Sequence, residues 1–386
     1  MALSSAIGLT DAGHRVTLLS AVRPIDHEVG KRLDRVVCTD QHAIGDDSAR
    51  MRAMIQGLWN VPAARSMDKL LRELDPRRTI VHVHGWSKAL SSSVIRVALS
   101  RQFKVVCTLH DYFSACPNGS FFNYATNTIC GLQPLSGSCI VSQCDRRNYG
   151  HKLWRVVRQL VQNQFGGMPR ELHHVIVVSD FSRQILHPFL PHGVQIHYVE
   201  NPVDIGRREP VDVRAHSAYV MVGRITQEKG AHVFAKAVNT LGCDAVFVGD
   251  GDQRLAVQSL CPAARITGWL SREKVLAEFY QARAAVFPSL WYETDGLTAV
   301  EAAAHGIPVI VSDASAARES VIDGVTGLWF RVGDEQDLAE KMVALQDDDL
   351  VQRMGRSAYD RYWKHPRTLA RHVNELEHVY EQVLAC

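Results

Sequence analysis

Three stretches of this chain bring together residue types suited to gripping a diphosphate beside hydroxyl groups. In Gly223-Arg224-Ile-Thr-Gln-Glu-Lys229-Gly230, two cations stand five residues apart behind a glycine. A glycine lets the backbone approach a ligand closely, and the cations can flank two phosphates while a helix begins behind them. Gly249-Asp250-Gly251 is a second glycine turn. The third stretch, Pro288-Ser-Leu-Trp-Tyr-Glu293-Thr-Asp295-Gly296-Leu297-Thr298-Ala-Val-Glu301, reads as a loop running into a helix. The first free N–H groups of that helix, near Gly296–Thr298, form an anion site. Glu293 precedes the helix and Glu301 lies about one turn inside it. Two carboxylates repel a diphosphate unless they face neutral hydroxyls. A nucleotide-sugar supplies such hydroxyls from its ribose and its transferred sugar.

Other candidates compete with blander readings. His110, in Thr108-Leu-His-Asp-Tyr-Phe113, follows an apolar run and fits either a cleft residue or a satisfied structural histidine. Asp250-Gly-Asp252 imitates a metal motif but fits better as a glycine turn, so no metal is expected. Gly249-x-Gly251 begins a dinucleotide fingerprint, yet Arg254 holds the third glycine position. Cys116, Cys130, Cys139 and Cys144 cluster in one loop-like stretch, either as a structural zinc site or as free thiols; tight Cys-x2-Cys pairs are missing. The segment His151-Lys-Leu-Trp154-Arg-Val-Val-Arg158-Gln-Leu-Val mixes cations with apolar residues. It suits an amphipathic helix on an anionic membrane, or an ordinary half-buried helix with a solvated face.

The elements that must position these groups are short apolar runs followed by Gly, Asp or His turns and then amphipathic helices. In the first half they are Arg15–Ser20, Thr79–Gly85, Phe103–His110 and Val175–Ser179. The pattern restarts after Asn201-Pro202 with Tyr219–Gly223, Ala245–Gly249, Ala284–Pro288 and Pro308–Ser312. Helices are expected near Ser92–Ser100 and Ala231–Leu241, and over the last 25 residues. Two blocks of alternating strands and helices imply an α/β fold of two doubly wound domains, whose ligands sit beyond the carboxyl ends of the strands.

A length of 386 residues implies two or three domains, and 46% hydrophobic with 22% charged residues excludes disorder. No apolar run reaches the roughly 20 residues of a membrane helix, and the start of the chain lacks a secretory pattern. The nine cysteines are therefore expected as reduced thiols in the cytoplasm. Residues 1–202 carry 23 Lys+Arg against 15 Asp+Glu, and the remainder 20 against 26. The basic half suits either an anionic partner (a phosphorylated lipid, an anionic glycan or a membrane surface) or a solvated surface with no partner; no nucleic-acid motif accompanies it.

Glu293 and Glu301 form a Glu-x7-Glu pair. They stand in the longer run Gly296-Leu-Thr-Ala-Val-Glu-Ala-Ala-Ala-His-Gly306-Ile-Pro308-Val-Ile. Together with Gly-Arg224…Lys229-Gly and Ser179-Asp-Phe-Ser…Asn201-Pro-Val-Asp204, this run resembles the retaining family-four glycosyltransferases. The similarity spans roughly residues 1 to 345 and is most specific from 219 to 330. It implies the GT-B architecture, two Rossmann-like domains facing a cleft. Residues 1–200 would form the acceptor-side domain and 201–365 the nucleotide-sugar domain, with 366–386 a helix crossing back onto the first. Arg224 and Lys229, with Gly223, would clamp the donor diphosphate, and the backbone from Asp295 through Gly296 and Leu297 to Thr298 would lie near it. Glu301 would bind the ribose, Glu293 the transferred sugar, and His110 would line the cleft.

The activity implied is metal-independent, cofactor-free transfer of a sugar from a nucleotide-diphosphate donor to a cell-surface glycan or lipid-linked acceptor, as in polysaccharide or lipopolysaccharide biosynthesis. It would take place in the cytoplasm, with peripheral contact at the inner face of the membrane. The alternatives are a sugar-nucleotide-binding subunit with weak or no catalysis, and an epimerase acting on the nucleotide-sugar itself. Two departures stand out. Asp295 sits where many relatives have an apolar or aromatic residue. Gly13-His14-Arg15-Val16-Thr17 comes almost at once, so the family's first strand and glycine-rich loop are expected to be missing from the sequence.

Overall fold

This computed structural model describes residues 1–23 and 27–385. In chain order the first half runs α1 (Ala2–Asp11), β1 (Thr17–Ser20), α2 (His27–Arg32), β2 (Arg35–Cys38), α3 (Arg50–Leu58), α4 (Val61–Leu71), β3 (Ile80–Val83) and α5 (Ser93–Ser100). It continues with β4 (Lys104–Leu109), β5 (Phe122–Asn123), β6 (Thr128–Ile129), α6 (Gly137–Val141), α7 (Tyr149–Gln164), β7 (His174–Val177), α8 (Asp180–Leu186) and β8 (Gln195–Tyr198). The second half contains β9 (Ala218–Val222), α9 (Ala231–Leu241), β10 (Ala245–Val248), α10 (Arg254–Leu260), β11 (Arg265–Ile266), α11 (Arg272–Phe279) and β12 (Ala282–Phe287). After it come α12 (Leu297–Ala304), β13 (Val309–Ser312), β14 (Gly327–Phe330), α13 (Glu335–Ala344), α14 (Asp348–Lys364) and α15 (Leu369–Ala385).

The chain divides into two compact units. One holds residues 1–120, 131–202 and 367–386; the other holds 121–130 and 203–366. The excursion 121–130 corrects the expectation that residues 1–200 form one domain. It is an antiparallel hairpin of β5 and β6 whose Phe122 is buried in the core of the second unit.

In the first unit, β3, β4, β7 and β8 form a parallel sheet in that order, while β1 and β2 form a separate parallel pair. β1 and β3 thus each have a single ladder neighbour. Helix α15 presents Val373, Leu376, Val379 and Val383, spaced three and four residues apart, to Leu9, Val106, Ile176 and Val199. Each such burial contributes roughly 1.5–3 kcal/mol. Glu200 fixes the approach of α15 through Arg367 at 3.0 Å and Arg371 at 2.9 Å. The His372 ring bridges Ser5 Oγ and the Glu200 carbonyl, both at 2.8 Å.

Helix α7 departs from both sequence readings. Its cations Lys152 and Arg158 point inward with Gln159 and Gln162, and Leu153, Val157 and Leu160 face solvent. The reason lies in what it packs against: irregular backbone with carbonyls that require donors. Arg158 donates to the Ser87 carbonyl at 3.3 Å, Gln159 to that of Ser114 at 3.3 Å and Gln162 to that of Phe113 at 3.0 Å. The Arg158 guanidinium also lies 4.4 Å from the Phe113 ring centroid.

The second unit is a six-stranded parallel sheet in the order β11-β10-β9-β12-β13-β14. Its strands read as continuous apolar runs because both faces are covered by helices. The chain reverses strand order between β9 and β12, the point where ligands of such sheets bind. Gly230 opens α9 at φ +69°, where a Cβ would collide with the Pro288 carbonyl oxygen. Gly249, at φ +144°, similarly abuts the Gly223 carbonyl. Glycine therefore lets the loops after β9, β10 and β12 crowd together at one end of the sheet. No helix among the described residues is long and apolar enough to cross a membrane.

Candidate active site

The loop after β9 and the loop after β12 meet through side chains. Lys229 Nζ lies 2.5 Å from Glu293 Oε1. The same oxygen accepts from Ser289 Oγ and Trp291 Nε1, each at 2.7 Å. The ammonium also stands 5.6 Å from the Trp291 ring centroid. Burial alone would push the Glu293 carboxyl up, but the Lys229 charge and the three donors outweigh it. Its pKa is held below the usual carboxylate range.

Arg224 is half exposed, with a guanidinium nitrogen 3.5 Å from Oε1 of Glu228, whose side chain is almost fully buried. Glu301 behaves oppositely to Glu293: burial raises its carboxyl pKa, and Arg272, 3.6 Å away, only partly opposes this. Arg272 also donates to the Asp204 carbonyl, which fixes it beside α12. Gly296 caps α12, and its N–H donates to Asp295 Oδ1 at 2.8 Å. Leu297 and Thr298 form the first turn of that helix. Asp250 is engaged by Arg254 at 3.1 Å and by the Gly251 N–H at 2.8 Å.

His110 lies in the first unit, just beyond β4, where its Nε2 is 3.0 Å from His84 Nδ1. The His84 ring centroid lies 4.1 Å from that of His82, tilted by 33°, and the His82 nitrogens contact Tyr380 OH at 2.6 Å and Thr108 Oγ1 at 2.7 Å. Burial drives His110 down to about 4 and His82 to about 3, so both rings are neutral near pH 7.

The structure therefore joins Lys229 with Glu293, and places Arg224 on Glu228, Glu301 on Arg272 and His110 on His84. Sequence reasoning gave no role to Ser289, Trp291, Glu228, Arg272, His84 or His82. The alternation His82-x-His84 at a strand end was a signal for the last two; Ser289, Trp291 and Glu228 lie within four residues of the side chains they contact, and Arg272 reaches Glu301 from a distant segment. The four-cysteine zinc reading fails geometrically. Among the described residues no group of three or more His, Cys, Asp or Glu could hold a metal, and Cys130 ends the hairpin of the second unit.

Comparison with known proteins places this geometry in a family. The family described as Glycosyltransferase Family 4 matches residues 2–207, more than half of the chain. Glycosyl transferases group 1 matches residues 217–348. The chain is similar to glycogen synthase of Mycobacterium tuberculosis, 27% identical over 383 residues, covering 92% of this chain and 83% of that protein. Sucrose-phosphate synthase from Thermosynechococcus elongatus superimposes with a TM-score of 0.70 at 18% identity, over 99% of this chain and 92% of that one. Anabaena HepE in complex with UDP-glucose gives a TM-score of 0.68 at 15% identity, over 99% and 94%. These neighbours share the GT-B fold of two Rossmann-like domains. The chain belongs to the glycosyltransferases that join a Family 4 domain to a group 1 domain, enzymes that draw on nucleotide-sugars.

Proposed function

We propose that this chain is a retaining, metal-independent glycosyltransferase, without a cofactor, that moves a sugar from a nucleotide-diphosphate donor to a cell-surface glycan or lipid-linked acceptor. The observation that carries this reading is the Lys229–Glu293 pair, which sets a cation and a sugar-binding carboxylate 2.5 Å apart on loops after two adjacent strands. Lys229 and Arg224, beside Gly223, hold the diphosphate and offset the charge that grows on it as the sugar departs. Backbone N–H groups from Asp295 to Thr298 add the α12 dipole. Glu293 accepts from sugar hydroxyls and Glu301 from the ribose.

Contact with the inner face of the membrane belongs to the same proposal. The helices α3 and α7 expose Met51, Ile55, Leu153, Val157 and Leu160 on the unit with the excess of cations. Sedimentation with anionic vesicles, but not neutral ones, is the expected result.

Purified protein offered a panel of UDP-, GDP- and ADP-sugars should release nucleoside diphosphate from one of them. Glu293→Ala and Lys229→Ala should each abolish that release, and chelator should not. Release by either variant at the wild-type rate overturns the assignment. Donor binding without turnover would replace it by the binding-subunit reading.

A further inference from the structure

Lys152 is fully buried near the N-terminus of α7, and among the described residues no carboxylate pairs with it. Its Nζ instead lies 3.2 Å from Cys144 Sγ and 3.5 Å from Cys139 Sγ. Neighbouring Asp145 is already held by Arg155 at 2.8 Å. An isolated ammonium in such a place costs several kcal/mol unless a counter-charge accompanies it. The groups at hand that can supply one are the two thiols, both buried and unbridged. Burial pushes the lysine pKa down, yet the sulfurs more than restore it, leaving it above its ordinary value. A lysine beside a thiol favours the thiolate, the form that reacts with peroxides.

We propose that Cys139, Cys144 and Lys152 form a peroxide-reactive site, with Cys144 the attacking thiolate and Cys139 the resolving thiol. Cys144 sulfur attacks one oxygen of a hydroperoxide and breaks the O–O bond. The departing oxygen takes a proton from the Lys152 ammonium and leaves as water, or as the alcohol of an organic peroxide. The resulting sulfenic acid condenses with the Cys139 thiol, forming an S–S bond and releasing water. Two thiols are oxidised, one peroxide is reduced, and Lys152 is left as a neutral amine. Loss of the thiolate and loss of the buried positive charge thus occur together, so the oxidised site holds no unpaired ion. The pair lies at the foot of the helix whose Gln162 and Arg158 support the Phe113 loop.

The test uses the full-length reduced protein treated with limiting hydrogen peroxide, then thiol alkylation and peptide mapping. A Cys139–Cys144 bridge, two hydrogens lighter than the dithiol, should form before Cys107 or Cys261, the other buried thiols distant in sequence, is modified. Lys152→Met should slow that oxidation by about tenfold or more, and Cys139→Ala should leave a dione-reactive sulfenic acid on Cys144. Oxidation of Cys144 no faster than Cys107 and Cys261, or its bridging to another cysteine, overturns the proposal. So does a folded Lys152→Met variant that oxidises at the wild-type rate. If Lys152→Met does not fold, the order of oxidation in the wild-type protein decides alone.

Discussion

Glu293→Gln should tighten binding of the free nucleoside diphosphate while destroying sugar transfer. In the unliganded site Lys229 is engaged by Glu293 at 2.5 Å, with the two side chains 21% and 12% exposed. A diphosphate must therefore compete with a carboxylate for the same ammonium. A partly buried, charge-assisted contact of this kind is worth about 1–2 kcal/mol net. Removing the charge releases Lys229 and relieves repulsion of the phosphates, so both effects act in one direction. The expected gain is roughly 5- to 30-fold in affinity for whichever of UDP, GDP or ADP the wild type binds. Titration calorimetry reads it directly, and release of nucleoside diphosphate from the donor should fall to background in the same variant. Lys229→Met should instead weaken diphosphate binding by about 1.5–3 kcal/mol, or roughly 10- to 150-fold. Unchanged or weaker diphosphate binding by folded Glu293→Gln would refute the competition. Stability supplies an independent check. A carboxyl with a lowered folded pKa contributes stability above its unfolded pKa, and this is lost as pH falls through the folded value. Glu293→Gln should lack that acid-side loss.

Three further outcomes are expected. Glu301→Gln should raise the thermal midpoint at neutral pH, because ionising a carboxyl whose folded pKa is raised costs stability. It should also weaken donor binding by about 1.5–3 kcal/mol, since a strong acceptor for hydroxyls is lost. Acid should destabilise the first unit: His82 and His110 titrate at about 3 and 4 when folded against 6.5 unfolded, so protons taken up below pH 6.5 favour the unfolded chain. Each contributes a loss of about 1 kcal/mol between pH 6.5 and 5.5, and a urea midpoint unchanged over that range would contradict it. Gly230→Ala should lower the second unit's melting temperature by several degrees or prevent folding, since a Cβ at φ +69° meets the Pro288 carbonyl. A melting temperature equal to wild type would show that the loops after β9 and β12 are not in such close contact.

The local features of the second unit were legible in the sequence because they depend on neighbours along the chain. Fully buried parallel strands are uninterrupted apolar runs, so Ala245–Val248 and Val309–Ser312 announce themselves. Ala231–Leu241 is bounded by glycines at both ends, and α15 shows its buried stripe at helical spacing. Type and position singled out Arg224, Lys229, Glu293 and Glu301, and folding joins Lys229 of this set to Glu293.

Other features depend on contacts between residues far apart in sequence, and these only the tertiary structure decided. Residues 121–130 belong to the second unit because Phe122 is buried in that unit's core, a pairing no local pattern encodes. Helix α7 looks like a basic surface helix, but carbonyls from Ser87, Phe113 and Ser114 turn its polar side inward. Four cysteines in one stretch fitted either zinc or free thiols; folding brings Cys139 and Cys144 to a buried lysine. Glu293 and Glu301 are the same residue type eight positions apart, yet one pKa falls and the other rises. Burial acts on both, and the difference lies in the partners: Lys229 from a distant loop joins Ser289 and Trp291 of the same loop on Glu293, whereas Arg272 faces Glu301 at 3.6 Å.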